Sequence, residues 1–233
     1  MSQQLIYCWF GGNELPKSAE QYIQTWRNSM PTTPIIAVTE ANFEINTSND
    51  YVKAAFKQRK FAFVSDYARL KYLYEHGGIY LDTDVEMCRD LSALISKTDL
   101  VISLEYYEWE LTGVNTGTII APPKHPIIAE LLATYENEAF VDCGEATATI
   151  NQRLTQLLLA KGLVLENRQQ QLEQVTVYPY EYFCTNNPQA YTIHHYASSW
   201  QGKKSGYRQF RRRLGKLLKR VIGRERFAKI WPK

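Results

Sequence analysis

The sequence lacks any uninterrupted stretch of about 18 apolar residues, the length at which a helix can cross a bilayer. Its first residues lack the basic and apolar regions of a secretory signal. Cysteine is scarce, and no Cys-x-x-Cys pair occurs among Cys8, Cys88, Cys143 and Cys184. These absences argue against a membrane-spanning chain and a disulfide scaffold. They predict a cytoplasmic protein with reduced thiols.

Internal repeats and low-complexity linkers are also absent. The chain has 233 residues, of which 45% are hydrophobic and 22% charged, and these proportions are typical of a globular protein. A chain of this length can still share a single core, so we expect one large domain.

The net charge of +3 conceals an uneven distribution. Residues 203–233 hold 13 of the 27 Lys and Arg residues and only one acidic residue, Glu225. Residues 1–202 therefore hold 14 basic and 23 acidic residues and are acidic overall. We accordingly predict a main acidic domain at 1–202 and a separate basic tail at 203–233.

Hydrophobic patterning along the body alternates between strand and helix periods. Gly77-Gly78 supplies a stop for the helix before it. The alternation predicts an open α/β sheet with ligands at the carboxyl ends of its strands. The predicted strands are 5–10, 35–38, 79–81, 99–104 and 116–121, and the predicted helices are 18–28, 51–58, 63–75 and 126–135.

The most informative pair of residues is Asp82 and Asp84, which directly follow a hydrophobic strand. Residues two apart in extended chain point to the same side, so both carboxylates face one point. Carboxylates this close repel unless a cation lies between them, and a hard ion such as Mn²⁺ or Mg²⁺ suits them. The alternative is a solvated acidic turn.

Asp66 and Arg69 lie three residues apart on the preceding predicted helix and so share a face. They can form a structural ion pair, or they can bind sugar hydroxyls and phosphate oxygens. Ser65 is either another residue of this site or the N-cap of a helix that starts there.

Trp9 lies at the end of the first strand, before Gly11-Gly12. It is either a core residue or a stacking platform for a base, with the glycines allowing a ligand close to the backbone. Tyr106, Tyr107 and Trp109 alternate with glutamates and form either a sugar-binding rim or a loop.

Adjacent histidines, His194 and His195, follow a short β-like stretch near Ser198 and Trp200. Neighbouring strand residues point to opposite faces, so at most one imidazole joins a site on a given side. That imidazole would complete a metal shell begun by carboxylates. The alternative is a pair of surface histidines beside a packed Trp.

The segments IYCWFGG, FVSDYARLKYLYEHGGIYLDTDVE, VNTGTIIAPPKHPII and IHHYASSW together resemble glycosyltransferase family 32. This family contains retaining enzymes with a DXD sugar-binding region, including yeast Golgi α-mannosyltransferases and bacterial capsule and exopolysaccharide enzymes. More distantly, the segments are similar to the catalytic domain of the clostridial glucosylating toxins. The resemblance extends over about residues 4–200 and implies a GT-A fold with a central mixed sheet flanked by helices.

The resemblance also implies roles for individual residues. Trp9 matches the aromatic residue that stacks on the base, and Asp66 and Arg69 match the pair that grips the donor sugar. Asp82 matches the acid near the ribose and sugar hydroxyls, and Asp84 matches a direct metal ligand.

The remaining matches lie further along the chain. Asn115 matches an asparagine near the donor sugar. His195, Ser198 and Trp200 match a C-terminal strip that closes over metal and diphosphate, with His195 in place of the toxins' acid and His194 an equally possible ligand. The residues implied in catalysis are Asp66, Arg69, Asp82, Asp84 and Asn115. Those implied in donor binding are Trp9, Ser65, Asp66, Arg69, Asp82, Ser198 and Trp200. The implied metal ligands, called the metal set below, are Asp82, Asp84 and His195.

From the resemblance we expect a retaining hexosyltransferase that uses Mn²⁺ or Mg²⁺ and a nucleotide diphosphate sugar, with a UDP-sugar favoured. Its expected acceptor is a lipid-linked oligosaccharide of cell-surface polysaccharide synthesis, on the inner face of the membrane. No carboxylate identifies itself as a nucleophile, which fits a front-face mechanism.

Two other functions compete with this one. A phosphatase of the haloacid dehalogenase type also uses a D-x-D after a strand, but it needs Thr or Val where Glu86 stands and has the motif on its first strand. A non-enzymatic nucleic-acid or membrane binder would act through the basic tail, but the acidic body argues against nucleic acid.

The tail contains an apolar stripe at helical spacing, formed by Phe210, Leu214, Leu217, Leu218, Val221 and Ile222. Basic residues flank the stripe, and each adds about 1 kcal/mol of attraction to an anionic membrane surface. We therefore predict that truncation after Gly202 leaves a folded protein that binds sugar nucleotide but no longer sediments with anionic liposomes. High salt should release the full-length protein. Equal sedimentation of both forms would contradict a membrane role for the tail.

Overall fold

The computed structural model describes residues 4–107, 110–136, 138–142 and 147–197. The described chain up to Tyr196 belongs to one compact unit. The predicted boundary at 202 and the basic tail lie outside the described residues. No helix in the described part is long and apolar enough to cross a membrane.

The described residues form nine strands and five α-helices. In order they are β1 (Leu5–Cys8), α1 (Lys17–Ser29), β2 (Ile35–Val38), α2 (Asp50–Lys57), α3 (Phe61–His76), β3 (Gly78–Leu81), β4 (Val85–Met87), β5 (Leu100–Tyr107), β6 (Glu110–Ala121), α4 (Pro126–Ala133), α5 (Ile150–Ala160), β7 (Gln170–Leu172), β8 (Val175–Tyr178) and β9 (Thr192–His194).

The central sheet has seven strands in the order β2-β1-β3-β6-β5-β8-β7. Pairing is parallel between β1 and both β2 and β3, and between β5 and β8. It is antiparallel where β6 joins β3 and β5, and where β7 joins β8. This mixed sheet, flanked by helices, confirms the expected GT-A architecture. A separate antiparallel ribbon pairs β4 with β9.

Successive residues of the strands face two different apolar layers, as the strand period requires. Ile6 and Tyr80 face the layer that includes buried residues of α2, α3, α4 and α5. Leu5 and Ile79 face the other layer, which includes Trp26 of α1. Trp26 is fully buried, and its indole N–H donates to the Val85 carbonyl at 2.8 Å, which ties α1 to β4.

Local signals account for the ends of several helices. The side chain of Asn49 caps α2 by accepting from the Val52 N–H, and Thr149 and Gln152 form a capping box at the start of α5. Helix α3 starts at Phe61, earlier than predicted, so Ser65 lies inside the helix and the N-cap interpretation of Ser65 is wrong.

Gly77 ends α3 with a φ of 65°, and its N–H donates to the Leu73 carbonyl at 2.8 Å. Gly78 is already the first residue of β3. The predicted glycine stop is therefore confirmed at Gly77. The structure also extends the predicted strand 99–104 to Tyr107, so Tyr106 and Tyr107 lie in a strand and not in a loop.

We predict that Gly77→Ala destabilises the protein more than Gly162→Ala does. Both glycines have positive φ, which costs a non-glycine residue about 1–3 kcal/mol. A Cβ on Gly77 would also lie 2.7 Å from Pro123 Cδ, whereas one on Gly162 would meet nothing within 4 Å. Overpacking of this kind adds about 1–3 kcal/mol. Urea denaturation gives the free energy of unfolding of both variants. Equal decreases in that free energy would contradict the steric argument.

Candidate functional site

The carboxyl ends of several strands meet at one edge of the sheet. Strand β3 is parallel to β1, and β6 runs antiparallel to both β3 and β5, so β5 has the same direction as β3. Trp9 follows β1, Asp82 follows β3, and Glu105 lies near the end of β5. These residues therefore lie along the same edge, which is where open α/β sheets bind ligands.

Arg69, on α3, is the buried cation at this edge, with its side chain only 7% exposed. Its guanidinium nitrogens lie 3.1 Å from Asp66 Oδ1 and 3.1 Å from Asp82 Oδ1. They also donate to the carbonyls of Thr116 at 3.1 Å and Ser65 at 3.3 Å. The predicted Asp66–Arg69 ion pair is therefore present, and Arg69 extends it to Asp82.

The ionisation states of Arg69 and of the carboxylates around it depend on one another. Burial alone would lower the pKa of Arg69, but the acidic groups around it, Asp82 foremost, raise that pKa well above its usual value. Burial raises the pKa of Asp66, while Arg69 and the Ile150 N–H act in the opposite direction. The Ile150 N–H, at the start of α5, donates to Asp66 Oδ2 at 3.3 Å. Arg69 is thus always charged and favours the ionised form of Asp66.

The DXD residues occupy a turn between β3 and β4, in which the Val85 N–H donates to the Asp82 carbonyl at 2.9 Å. Asp82 Oδ1 accepts from the Tyr80 hydroxyl at 2.8 Å as well as from Arg69. Its other oxygen, Oδ2, lies 4.0 Å from His194 Nε2. The protein thus holds one carboxylate oxygen of Asp82 and directs the other toward His194.

Asp82, Asp84 and His194 form a cluster that can hold a metal ion, since one potential ligand atom from each lies within 4.8 Å of the others. Asp84 Oδ1 is 3.3 Å from His194 Nε2. Although burial acts to lower the pKa of His194, the neighbouring carboxylates, led by Asp84, raise it. Two carboxylate oxygens and one imidazole nitrogen form a donor set that can hold a divalent metal ion.

Two residues of β6 place the His194 ring. The Asn115 amide nitrogen lies 3.0 Å from His194 Nδ1, so the other ring nitrogen faces the aspartates. A Cβ on Gly117 would lie 2.7 Å from His194 Cε1, so the ring occupies space that only glycine leaves. Sequence reasoning missed Gly117, although its position two residues after Asn115 in one strand was a usable signal. Contact of Asn115 with a donor sugar stays a prediction.

The His195 side chain does not join the aspartate carboxylates, although its backbone N–H donates to the Asp84 carbonyl at 3.0 Å. This corrects the assignment of His195 to the metal set. Its Nε2 lies 2.9 Å from Glu86 Oε2, and its ring stacks on Tyr22 of α1 at 4.5 Å. The cause is the pairing of β9 with β4, which sets His194 opposite Val85 and turns the next residue away. Ser198 and Trp200 lie outside the described residues.

A cavity of about 750 Å³ opens near the carboxyl ends of β1 and β2. It is lined in part by Gly11, Gly12, Thr39 and Glu40, and the Glu40 carboxylate accepts a hydrogen bond from the Gly11 N–H. Trp9 lies next to these glycines in the chain, is partly exposed, and donates from its indole to the Asn13 carbonyl at 2.7 Å. The base-stacking role of Trp9 and the ligand role of Ser65 stay predictions.

Part of the chain matches a known family of proteins. Residues 16–101 match a family described as "Glycosyltransferase sugar-binding region containing DXD motif". The matched segment includes Asp66, Arg69, Asp82 and Asp84. No curated protein matches the chain significantly.

Solved structures resemble the fold. The PaToxG glycosyltransferase is 16% identical, with a TM-score of 0.52 over 69% of this chain and 68% of that one. The apo form of the glycosyltransferase GlyE from Streptococcus pneumoniae TIGR4 is 13% identical, with a TM-score of 0.52 over 85% of this chain and 55% of that one. The family match and the GT-A fold together support a glycosyltransferase with a DXD-type sugar-binding region.

We predict that the two adjacent histidines respond differently to alanine substitution. His194→Ala should weaken Mn²⁺ binding, measured by electron paramagnetic resonance in the presence of UDP, by at least about tenfold. Loss of residues that merely orient metal ligands already costs about 10–100-fold. His195→Ala is the matched control and should retain the wild-type affinity. Weaker Mn²⁺ binding in His195→Ala, with unchanged binding in His194→Ala, would show that His195 is the metal ligand.

Proposed function

We propose that this protein is a retaining glycosyltransferase of family 32 that transfers a hexose from a UDP-sugar to a lipid-linked oligosaccharide. The reaction would serve the synthesis of a cell-surface polysaccharide such as a capsule or exopolysaccharide. The observation that carries the proposal is the convergence of His194 on Asp82 and Asp84 at the end of β3. The two aspartates, but not His194, lie within the segment that matches a DXD-type sugar-binding region.

Asp82, Asp84 and His194 would hold Mn²⁺ or Mg²⁺. When bound, the ion neutralises negative charge that develops on the leaving diphosphate. Asp84 is the principal carboxylate ligand in this proposal, because Asp82 already shares one oxygen with Arg69 and Tyr80. Asn115 and Gly117 keep the His194 ring in position.

The buried Arg69 prepares the carboxylates that would face the donor. It fixes Asp66 and Asp82 as hydrogen-bond acceptors, and we assign both to the donor's hydroxyl groups. Ionised carboxylates accept short, strong hydrogen bonds, so their placement selects the orientation of the sugar. Such positioning lowers the barrier by holding the anomeric carbon where the acceptor oxygen can reach it.

The nucleotide would bind further along the edge, near Trp9 and the cavity beside Gly11 and Gly12. The aromatic ring offers a stacking surface for a base, a contact worth about 1–3 kcal/mol in nucleic-acid binders. In this arrangement the base lies near the end of β1 and the diphosphate near the end of β3, the neighbouring strand. This arrangement supports a nucleotide diphosphate as the leaving group.

The proposed chemistry is a front-face displacement. The acceptor oxygen bonds to the anomeric carbon on the face from which the diphosphate leaves, and the acceptor proton passes to a diphosphate oxygen. The anomeric configuration is thereby retained. We also propose that residues 203–233 hold the enzyme on the inner face of the cell membrane, where a lipid-linked acceptor is confined.

The test is a thermal-shift screen of UDP-, GDP- and dTDP-sugars with and without Mn²⁺. A donor at a hundred times its Kd stabilises the fold by about 2.7 kcal/mol, a rise in Tm of about 5–11 °C for a domain of this size. We expect UDP-sugars with Mn²⁺ to give this rise. Asp84→Asn should abolish both the rise and sugar transfer.

Asp50→Asn is the control, because the Asp50 side chain is 93% exposed and pairs only locally with Lys53. It should behave as the wild type. A wild-type protein that responds to no sugar nucleotide, or an Asp84→Asn variant with full transfer activity, would refute the proposed function.

A further inference from the structure

The carboxyl end of β5 carries a half-buried carboxylate that the proposed donor site does not use. Glu105 Oε2 accepts from the Thr112 hydroxyl at 2.8 Å, and Oε1 accepts from the Asn151 amide at 2.9 Å. The Asn115 side chain is a further donor to this carboxylate. An ionised carboxylate has about four acceptor positions, which is more than these three donors occupy. Burial raises the pKa of Glu105, whereas these hydrogen bonds favour its ionised form. Glu105 is therefore rigidly held and can accept another hydrogen bond.

Glu105 is connected to the proposed donor site through Asn151, at the start of α5. The Asn151 side-chain oxygen accepts from the Thr116 hydroxyl, and the Thr116 carbonyl accepts from Arg69 at 3.1 Å. Ile150, the neighbour of Asn151, donates from its backbone to Asp66. The first residues of α5 thus fix the position of Glu105 relative to Arg69 and Asp66.

Aromatic rings extend from His194, in the cluster with Asp82 and Asp84, toward Glu105. Tyr196 stacks on His194 with ring centroids 4.0 Å apart, and its hydroxyl accepts from Asn115 at 3.3 Å. Tyr107, two residues after Glu105 in β5, lies 5.5 Å from Tyr196 at an angle of 56°. Both tyrosines are partly exposed. The apolar C–H face of a sugar ring packs well on such aromatic surfaces.

The order of the strands indicates which substrate would lie beside Glu105, Tyr107 and Tyr196. Along the sheet the order is β1, β3, β6 and β5. The proposed function sets the nucleotide at β1 and the metal and diphosphate at β3. The donor sugar then lies toward β6, and the next position along the edge is the end of β5. A group that receives the sugar has to approach from a side that the nucleotide leaves open.

We propose that Glu105, Tyr107 and Tyr196 form the acceptor subsite, which binds a pyranose ring of the receiving glycan. This inference rests on the proposed function. Glu105 accepts a hydrogen bond from a hydroxyl of that ring, and Tyr107 packs against its C–H face. The combination of apolar surface with a fixed polar group is typical of sites that orient a small ligand.

The experiment compares wild type, Glu105→Gln and Tyr107→Leu in two measurements. The first is the Kd for UDP with Mn²⁺, and the second is kcat/KM for transfer to octyl glycosides of glucose, galactose, mannose and N-acetylglucosamine. In Glu105→Gln, the new side-chain amide can still accept from Asn151 and donate to Thr112, so the local structure is retained while the charge is lost. Glu130→Gln is the control, since Glu130 pairs with Lys161 on the surface.

We expect both variants to bind UDP as the wild type does and to lose about tenfold or more in kcat/KM for the glycoside, through a higher KM. For Glu105→Gln that factor corresponds to the loss of one hydrogen bond to a charged group. Weakened UDP binding in Glu105→Gln, or a higher KM for the sugar nucleotide in the transfer assay, would instead place Glu105 in the donor site and overturn the proposal. Unchanged transfer in both variants would overturn it too.

A wild-type protein that binds UDP with Mn²⁺ but responds to none of the glycosides would reject a sugar ring as the occupant of this subsite, while the proposed function survives. Failure of the wild type to bind any sugar nucleotide would reject the proposed function itself. The two failures are thereby distinguished.

Discussion

The buried positive charge of Arg69 holds together the acidic groups at this edge of the sheet. Three carboxylates, Asp66, Asp82 and Asp84, converge there, and their mutual repulsion in a low-dielectric environment would be expensive without compensation. Arg69 lies 3.1 Å from both Asp66 and Asp82 and bonds two backbone carbonyls as well. Removing a partner from a buried group of this kind typically costs about 3–5 kcal/mol, because it leaves an uncompensated charge. The position of the DXD turn therefore depends on this guanidinium.

The interaction of Arg69 with Asp82 also makes the two DXD residues, Asp82 and Asp84, differ in their contacts. Asp82 shares Oδ1 with Arg69 and Tyr80 and has only Oδ2 directed toward His194. Asp84 approaches His194 more closely, at 3.3 Å. One carboxylate is thus bound by Arg69 and Tyr80, and the other lies closer to His194. This asymmetry distinguishes the turn from a solvated acidic loop.

Helix α5 links the two halves of the edge. Its first residues contact Asp66 on one side and Glu105 on the other, through Ile150 and Asn151. The capping box of Thr149 and Gln152 fixes where that helix begins. A local capping signal therefore sets the spacing between the carboxylates assigned to the donor and the carboxylate assigned to the acceptor.

Much of the fold and part of the site could be predicted from short stretches of sequence. Helix α3, the stop at Gly77, strand β3 and the DXD turn follow one another in the chain, and their periodicity and glycine signals are local. The Asp66–Arg69 pair was predictable for the same reason, because helical spacing alone brings the two side chains together. Helix α5 was not predicted, although its capping box is a readable local signal.

Tertiary structure alone decided which histidine meets the aspartates. His194 and His195 are equivalent by sequence, and the choice depends on the register of β9 against β4, which sets His194 opposite Val85. Since a shift by one residue reverses the direction of every side chain in a strand, a local pattern cannot select between neighbours. The contacts of Glu105 with Asn151, and of Gly117 with His194, likewise join residues far apart in the chain. The sequence by itself determined the chemistry available at each strand end, whereas the pairing and packing of distant segments determined which groups share a site, because those contacts form only when the sheet assembles.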